Sequence, residues 1–320
     1  MNVRFGIIGP GDIANRFAEV LNSVDGVELT AVASSNEQRA AEFAQRHGAP
    51  KVYEGYLKLV EDDMVDVVYI GLTHNFHFDA VKLCLEHGKA VLCEKPLVTN
   101  QRDAETLAAL SRSKKVLLME AMWTRCLPTF IEAKRWLMEG RIGKVKLVDA
   151  SFCFNVPFDP EHRLYNPDLA GGSLFDAGVY PIEFTMGILG ETPTMVKGVA
   201  TKAPTGVDDY VAMSMAFASD TLASLSCGLT ANTNPDAKIY GSEGYIVIYD
   251  FIRSNKCELY DNQDNLVETF AVDFEDGFSF EMEHFADLYR KGAIESDLVP
   301  LRDNIACAKI FDDLRQDWGM

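Results

Sequence analysis

A chain of 320 residues is longer than one ordinary core holds and suits two domains. Apolar residues make up 48% and charged residues 24%, as in globular proteins, while a net charge of −18 without any basic cluster argues against nucleic acid or an anionic membrane as partner. No run of about 18 apolar residues occurs, and the opening MNVRFGIIGPG is too short an apolar stretch for a signal peptide.

The first third alternates β-rich runs with helical patterns. Strands are predicted over 3–9, 27–34, 66–72, 89–94 and 115–121. Helices are predicted from Asp12 to about Leu21 and over 36–47, 76–87 and 100–113. Asn36 is the expected N-cap of the second helix and Gly48 its stop. This alternation implies right-handed βαβ crossovers and a parallel, doubly wound sheet. After residue 122 the pattern changes. A helix fits 128–139, with Pro128 in its first turn, and a long strand fits 143–154. The stretch 174–189 reads as helical apart from Pro181. Between about 194 and 271 lie at least five strand-like runs separated by turns such as Ser219-Asp220 and Ser242-Glu243-Gly244. Hairpin-connected strands of this kind predict a large, mostly antiparallel sheet. Helices over 278–291 and 303–317 close the chain. The expected architecture is α/β: a Rossmann domain over 1–122, then an α+β domain for substrate binding and dimerisation over 123–320.

Cysteines at 84, 93, 126, 153, 227, 257 and 307 are odd in number, include no C-x-x-C pair, and fall partly inside apolar runs. They read as reduced, buried thiols of a cytoplasmic protein, with neither disulfide framework nor metal site.

The first strand leads into Gly9-Pro10-Gly11-Asp12-Ile13-Ala14, a G-x-G-x-x-A turn that opens a helix. Gly9 permits the tight turn, Gly11 lets the backbone approach a pyrophosphate, and Ala14 allows close helix–sheet packing. The helix start at Asp12 and Ile13 offers N–H groups to the anion. NAD sites commonly place an acid at the end of the second strand. Here that strand ends in Ser34, Ser35 and Asn36, with Arg39 following, which suits the 2′-phosphate of NADP better than the 2′-hydroxyl of NAD. Thr73, His74, Asn75 and His77 end the third predicted strand, at the sheet edge where ligands bind. Glu94, Lys95 and Pro96 end the fourth.

These motifs, followed by Gly171-Gly172-Ser173-Leu174-Phe175-Asp176-Ala177-Gly178-Val179-Tyr180, occur in the order seen in one family. The whole chain resembles the glucose–fructose oxidoreductase / inositol dehydrogenase (Gfo/Idh/MocA) family. Within it, LCEKPL, LMEAMWTR, AGGSLFDAGVYPIEF and TGVDD resemble the dihydrodiol and D-xylose dehydrogenase branch. The resemblance implies that Lys95 is a catalytic-site lysine beside the nicotinamide, often with a cis bond into the proline. It implies that Thr73, His74, Asn75, His77 and Glu94 border the cofactor. It also implies that the second domain carries substrate groups and pairs two copies through its sheet, as a homodimer or a dimer of dimers. Many members end the second motif in histidine; here Tyr180 stands in that place.

Oxidising an alcohol needs a base with a pKa near the working pH. Free tyrosine titrates at ~10, and a neighbouring lysine cation favours the phenolate. Tyr180 is therefore assigned as acid/base, Lys95 as its electrostatic partner, and Asp176, four residues before Tyr180, as the group that orients substrate or Lys95. The loop over 155–172 reads as wall or lid of the substrate site, with His162 and Arg163 as candidate contacts. Phe154, Trp123 and Arg125 are further candidates, and a packed interdomain role suits Trp123 equally. The expected activity is an NADP- or NAD-dependent dehydrogenase acting on a sugar or cyclic diol. Alternatives are a hydrolase that retains NAD, as some relatives of the family do, and a non-catalytic NADP-binding sensor.

Overall fold

The computed structural model describes residues 2–320. The chain folds as two compact units. The first comprises the residues up to Ala121 together with Phe278–Asn304; the second comprises Met122–Gly277 and Ile305–Met320.

The first unit contains β1 (Val3–Ile8), α1 (Asp12–Leu21), β2 (Val27–Ser34), α2 (Glu37–His47), β3 (Lys51–Glu54), α3 (Leu57–Val60), β4 (Val67–Ile70), α4 (His77–Glu86), β5 (Ala90–Glu94), α5 (Gln101–Lys114) and β6 (Leu118–Ala121). Its six strands are parallel in the order β3-β2-β1-β4-β5-β6. Strand order reverses between β1 and β4, the place where an open sheet forms a ligand crevice at its carboxyl edge. Asn36 caps α2 by accepting the Arg39 N–H at 3.0 Å, and Gly48 ends it in the left-handed region. β3 and α3 carry no periodic signal. β3 is a four-residue edge strand with two charged residues, too short for its alternation to register.

Residues 278–304 do not follow the single cut at 122 that periodicity suggests. α8 (Phe278–Arg290) packs on α1, setting Phe285 against Phe5 and Phe278 against Phe17, whose ring stacks on Tyr69 at 3.6 Å. These aromatics complete the core of the first unit, because helices must cover both faces of a parallel sheet.

The second unit contains α6 (Pro128–Met138), β7 (Val145–Cys153), α7 (Val179–Leu189), β8 (Met195–Lys202), β9 (Asp208–Ala216), β10 (Leu222–Gly228), β11 (Ala237–Gly241), β12 (Gly244–Ile248), β13 (Lys256–Asp261) and β14 (Leu266–Ala271). α9 (Leu301–Trp318) begins in the first unit and continues into the second. The eight-stranded sheet runs β14-β13-β12-β11-β7-β10-β9-β8 and is antiparallel except for the β7–β10 pair, in which Leu147 faces Leu222 and Cys153 faces Gly228. One face is packed: Val211, Met213 and Met215 of β9 are buried while Ala212 and Ser214 are exposed. α7 is buried almost all round. Pro181 does not break the helical stretch. A π-helical turn over Leu174–Gly178 precedes α7, and Pro181 falls at the third residue of α7, in its first turn, where proline is tolerated.

All seven cysteines are buried free thiols. Among the described residues, no helix is long and apolar enough to cross a membrane.

Candidate active site

In the first unit the turn after β1 is shaped for an anion. Gly9 has φ +86°, and a Cβ there would meet Leu72 at 2.6 Å, so no other residue fits without strain. Gly11 caps α1 without a side chain, and the nearest atom to an added Cβ is Gly71 O at 3.8 Å. The start of α1 therefore leaves room for a pyrophosphate to approach the backbone, where the first-turn N–H groups have no partner within the helix. Ala14 is fully buried, and a Cβ on Gly71 would lie 3.2 Å from its methyl, which is the close approach that the third motif position provides. At the end of β2, Ser34 is buried and its Oγ accepts the Asn36 N–H at 3.1 Å, whereas Ser35 and Arg39 are exposed. These residues fit a dinucleotide.

After β4, Thr73 Oγ1 donates to Asn75 Oδ1 at 2.8 Å, and His74 lies edge-on to His77. His77 is fully buried, with Nδ1 2.9 Å from Pro96 O and Nε2 3.0 Å from Leu72 O. Burial holds its pKa below the ordinary value, and the Lys95 charge acts in the same direction. Of the residues expected at the cofactor, His77 is thus enclosed within the first unit, its ring set between a carbonyl of the 72–76 turn and one of the Lys95 turn; when neutral it donates to only one of the two. Lys95 itself is half-buried and precedes a cis peptide to Pro96.

Behind Lys95 lies a carboxylate cluster. Glu94 accepts the Tyr69 hydroxyl at 2.6 Å; Glu120 accepts the Leu97 N–H at 2.7 Å and Asn304 Nδ2 at 2.6 Å. Glu281 of α8 is fully buried and neither carboxyl oxygen has a hydrogen-bond partner. Burial, then the charges of Glu94 and Glu120, push its pKa well above the ordinary 4.5. The folded state thus binds a proton that the unfolded state has lost above pH 4.5, and stability falls as pH rises from there toward the folded pKa. Glu281→Gln removes this term. Its Tm should exceed that of the wild type at pH 8, and the gap should close toward pH 4.5 in a thermal-melt series; a gap independent of pH would refute the assignment.

In the second unit, buried Asp208 at the start of β9 accepts Ser173 Oγ at 2.7 Å and the Leu174 N–H at 2.6 Å. It caps the π turn that carries Asp176. Burial pushes the Asp208 carboxyl pKa up, opposed by those two bonds and by the Arg315 charge. Gly172, at φ +125°, lies so close that a Cβ there would meet Asp208 Oδ1 at 2.5 Å. Asp176 is nearly buried and pairs with Arg163 at 2.9 Å. Tyr180 is half-buried, with Phe152 of β7 edge-on at 5.3 Å and Phe154 against Phe152 at 5.3 Å. Phe154 also packs on a buried cluster of Leu164, Tyr165, Ala203, Val207 and Leu229, which anchors the 155–172 loop to the rest of the second unit. His162 is exposed, its Nδ1 accepting the Leu164 N–H at 3.3 Å.

Two substrate candidates, Arg125 and Trp123, are buried. Arg125 is fully buried; its Nε donates to Glu183 O at 2.8 Å and its Nη2 lies 2.8 Å from Glu183 Oε2. An arginine neutralised in this way is structural. Trp123 is buried, its indole placed where a Cβ on Gly277 would meet it at 2.8 Å. Sequence reasoning passed over Glu120, Glu281, Asn304 and Asp208. For Glu120 a signal existed: a carboxylate within the apolar run KVLLMEA, read as a strand of a sheet covered on both faces, has no water to face.

A Rossmann unit with a glycine turn shaped for a dinucleotide, joined in one chain to a sheet-based second unit, is an arrangement suited to a nicotinamide-dependent oxidoreductase. The comparisons agree. Residues 3–122 match the oxidoreductase family with NAD-binding Rossmann fold, and residues 130–247 match the GFO/IDH/MocA C-terminal domain. The chain belongs to the GFO/IDH/MocA family and is an NAD(P)-dependent enzyme acting at CH–OH groups. It is 33% identical to human trans-1,2-dihydrobenzene-1,2-diol dehydrogenase, covering 100% of this chain and 98% of that one. The mouse enzyme is 34% identical, with the same coverage. Among solved structures it is similar to KijD10, a 3-ketoreductase from Actinomadura kijaniata in complex with NADP and TDP-benzene. That match has a TM-score of 0.86 and 29% identity over 99% of this chain and 98% of that one. Levoglucosan dehydrogenase in complex with NADH and levoglucosan shares the fold, with a TM-score of 0.89 at 21% identity over 100% and 98% of the two chains.

Proposed function

We propose that the enzyme transfers a hydride between NADP and a carbinol carbon of a cyclic diol or sugar, with Tyr180 as acid/base, Lys95 as its cationic partner and Asp176 as the substrate-orienting group. The observation that carries this reading is the full-length likeness to diol dehydrogenases, at 33% identity over 100% of the chain. The nicotinamide, when bound, supplies the hydride acceptor. Gly9 and Gly11 admit the pyrophosphate, and the first-turn N–H groups of Asp12 and Ile13 face it. Ser35 and Arg39, both exposed beside the end of β2, suit a 2′-phosphate, and no carboxylate stands at that strand end. Thr73, His74, Asn75 and Glu94 border the nicotinamide side.

For alcohol oxidation, Tyr180 takes the hydroxyl proton as the carbonyl forms, and Lys95 stabilises the phenolate and the developing oxyanion. In the reverse direction Tyr180 returns the proton. Asp176, held by Arg163, presents an acceptor to a second substrate hydroxyl. Phe152 and Phe154 give the phenol an apolar flank that suits a ring substrate. The open face of the eight-stranded sheet, where Met195, Val199 and Leu222 are exposed, is the surface on which two copies pair.

A spectrophotometric screen at 340 nm tests the reading, using NADP and NAD against trans-dihydrodiols, aldoses and inositols. Reduction of NADP, faster than of NAD, with a diol or aldose is the expected result. Substrate consumption without net absorbance change would instead indicate the NAD-retaining hydrolase chemistry.

A further inference from the structure

The turn that presents Lys95 has only two main-chain donors, because Pro96 carries no N–H. Both donors end on carboxylates. The Lys95 N–H reaches Glu94 Oε2 at 3.3 Å, and the Leu97 N–H reaches Glu120 Oε1 at 2.7 Å. The second bond is the shorter and links separate strands, since Glu120 lies on β6 beside Cys93 of β5. Glu120 is 2% exposed, and its other oxygen takes Asn304 Nδ2 at 2.6 Å. Burying a carboxylate costs several kcal/mol unless its acceptors are satisfied. An apolar side chain on β6 would avoid that cost, so the carboxylate must serve the donors it faces.

We propose that Glu120 is a positioning residue for Lys95: by holding the Leu97 N–H it fixes the far side of the Lys95–Pro96–Leu97 turn and so sets where the ammonium group points. The proposal rests on the reading of Lys95 as a catalytic group. Glu94 holds the near side and His77 faces the Pro96 carbonyl. Asn304 holds the Glu120 carboxylate in turn, with its own Oδ1 lacking a hydrogen-bond partner.

The test compares Glu120→Met with Glu120→Gln, using Lys95→Met as reference. Two readouts are kcat with NADP and a cyclic trans-dihydrodiol, and hydrogen–deuterium exchange of the peptide containing Leu97. Methionine fills the glutamate volume and offers no acceptor. Glutamine keeps a carbonyl for the Leu97 N–H, and its amide N–H reaches Asn304 Oδ1 once the Asn304 amide flips. Glu120→Met should lower kcat about 10- to 100-fold with the NADP Kd little changed, because an ångström of misplacement costs up to about 10²-fold. It should also speed exchange at Leu97. Glu120→Gln should restore both kcat and protection.

Equal kcat for the two variants overturns the proposal: both near wild type would mean simple packing, and both equally low would mean that the charge matters and the acceptor does not. If Lys95→Met turns over like wild type, the reading of Lys95 fails. Exchange at Leu97 then still decides whether Glu120 clamps the turn; unchanged protection in Glu120→Met overturns the clamp.

Discussion

Tyr180→Phe is expected to lower kcat by about 10²- to 10⁴-fold, the range that positioned proton transfer supplies, while the NADP Kd stays near wild type. The substitution removes the hydroxyl and keeps the ring. The ring keeps its edge contact with Phe152, and Asp208 holds the helical stretch at its start. An unchanged melting temperature beside the fall in kcat separates lost chemistry from lost fold. Lys95→Met should fall into the same range. The double variant should be little worse than either single one, because groups that act as a unit are not additive. Steady-state rates at 340 nm, paired with NADP titration by protein fluorescence, make the measurement. If Tyr180→Phe retains kcat within about threefold of wild type, the proton is handled elsewhere and the assignment fails.

The second large effect concerns stability. Arg125→Met leaves the Glu183 carboxylate buried without its cation, a change that typically costs about 3–5 kcal/mol. Both side chains are fully excluded from solvent, and the guanidinium also holds the Glu183 carbonyl. The environment is tight: a Cβ on Gly187 would meet Arg125 Nε at 2.6 Å. Removing both charges, as Arg125→Met with Glu183→Leu, should recover most of the loss, because paired apolar replacements of buried ion pairs are often neutral. Urea denaturation midpoints of wild type, single and double variants check this. A single variant as stable as wild type would mean that Glu183 takes up a proton or finds water.

The first unit was legible because its signals are local. β1 and β2 announce themselves as short, mostly apolar runs containing Val, Ile and Thr, α2 carries its own cap at Asn36 and its own stop at Gly48, and the Gly9–Ala14 turn states its geometry through residue size. The second sheet was legible as a class, since hairpin turns and alternation need only neighbouring residues. Its β7–β10 parallel pair was not, because pairing strands about 70 residues apart leaves no mark at either one.

The candidate site divided the same way. Lys95, Asp176 and Tyr180 were proposed because their motifs recur in the family that the chain resembles. The partners of Arg125 and His77 could not be read there: Glu183 lies 58 residues from Arg125, and the Pro96 carbonyl lies 19 residues from His77.

Composition, periodicity and the glycine turn by themselves determined the two architectures and the dinucleotide-binding character of the first, because each depends on the size and spacing of near neighbours. Tertiary structure alone decided that α8 belongs with the first core, that burial beside Glu94 and Glu120 pushes the Glu281 pKa up, and which polar groups are already satisfied. A group's charge and availability depend on what is packed around it, and packing joins residues that the chain keeps far apart.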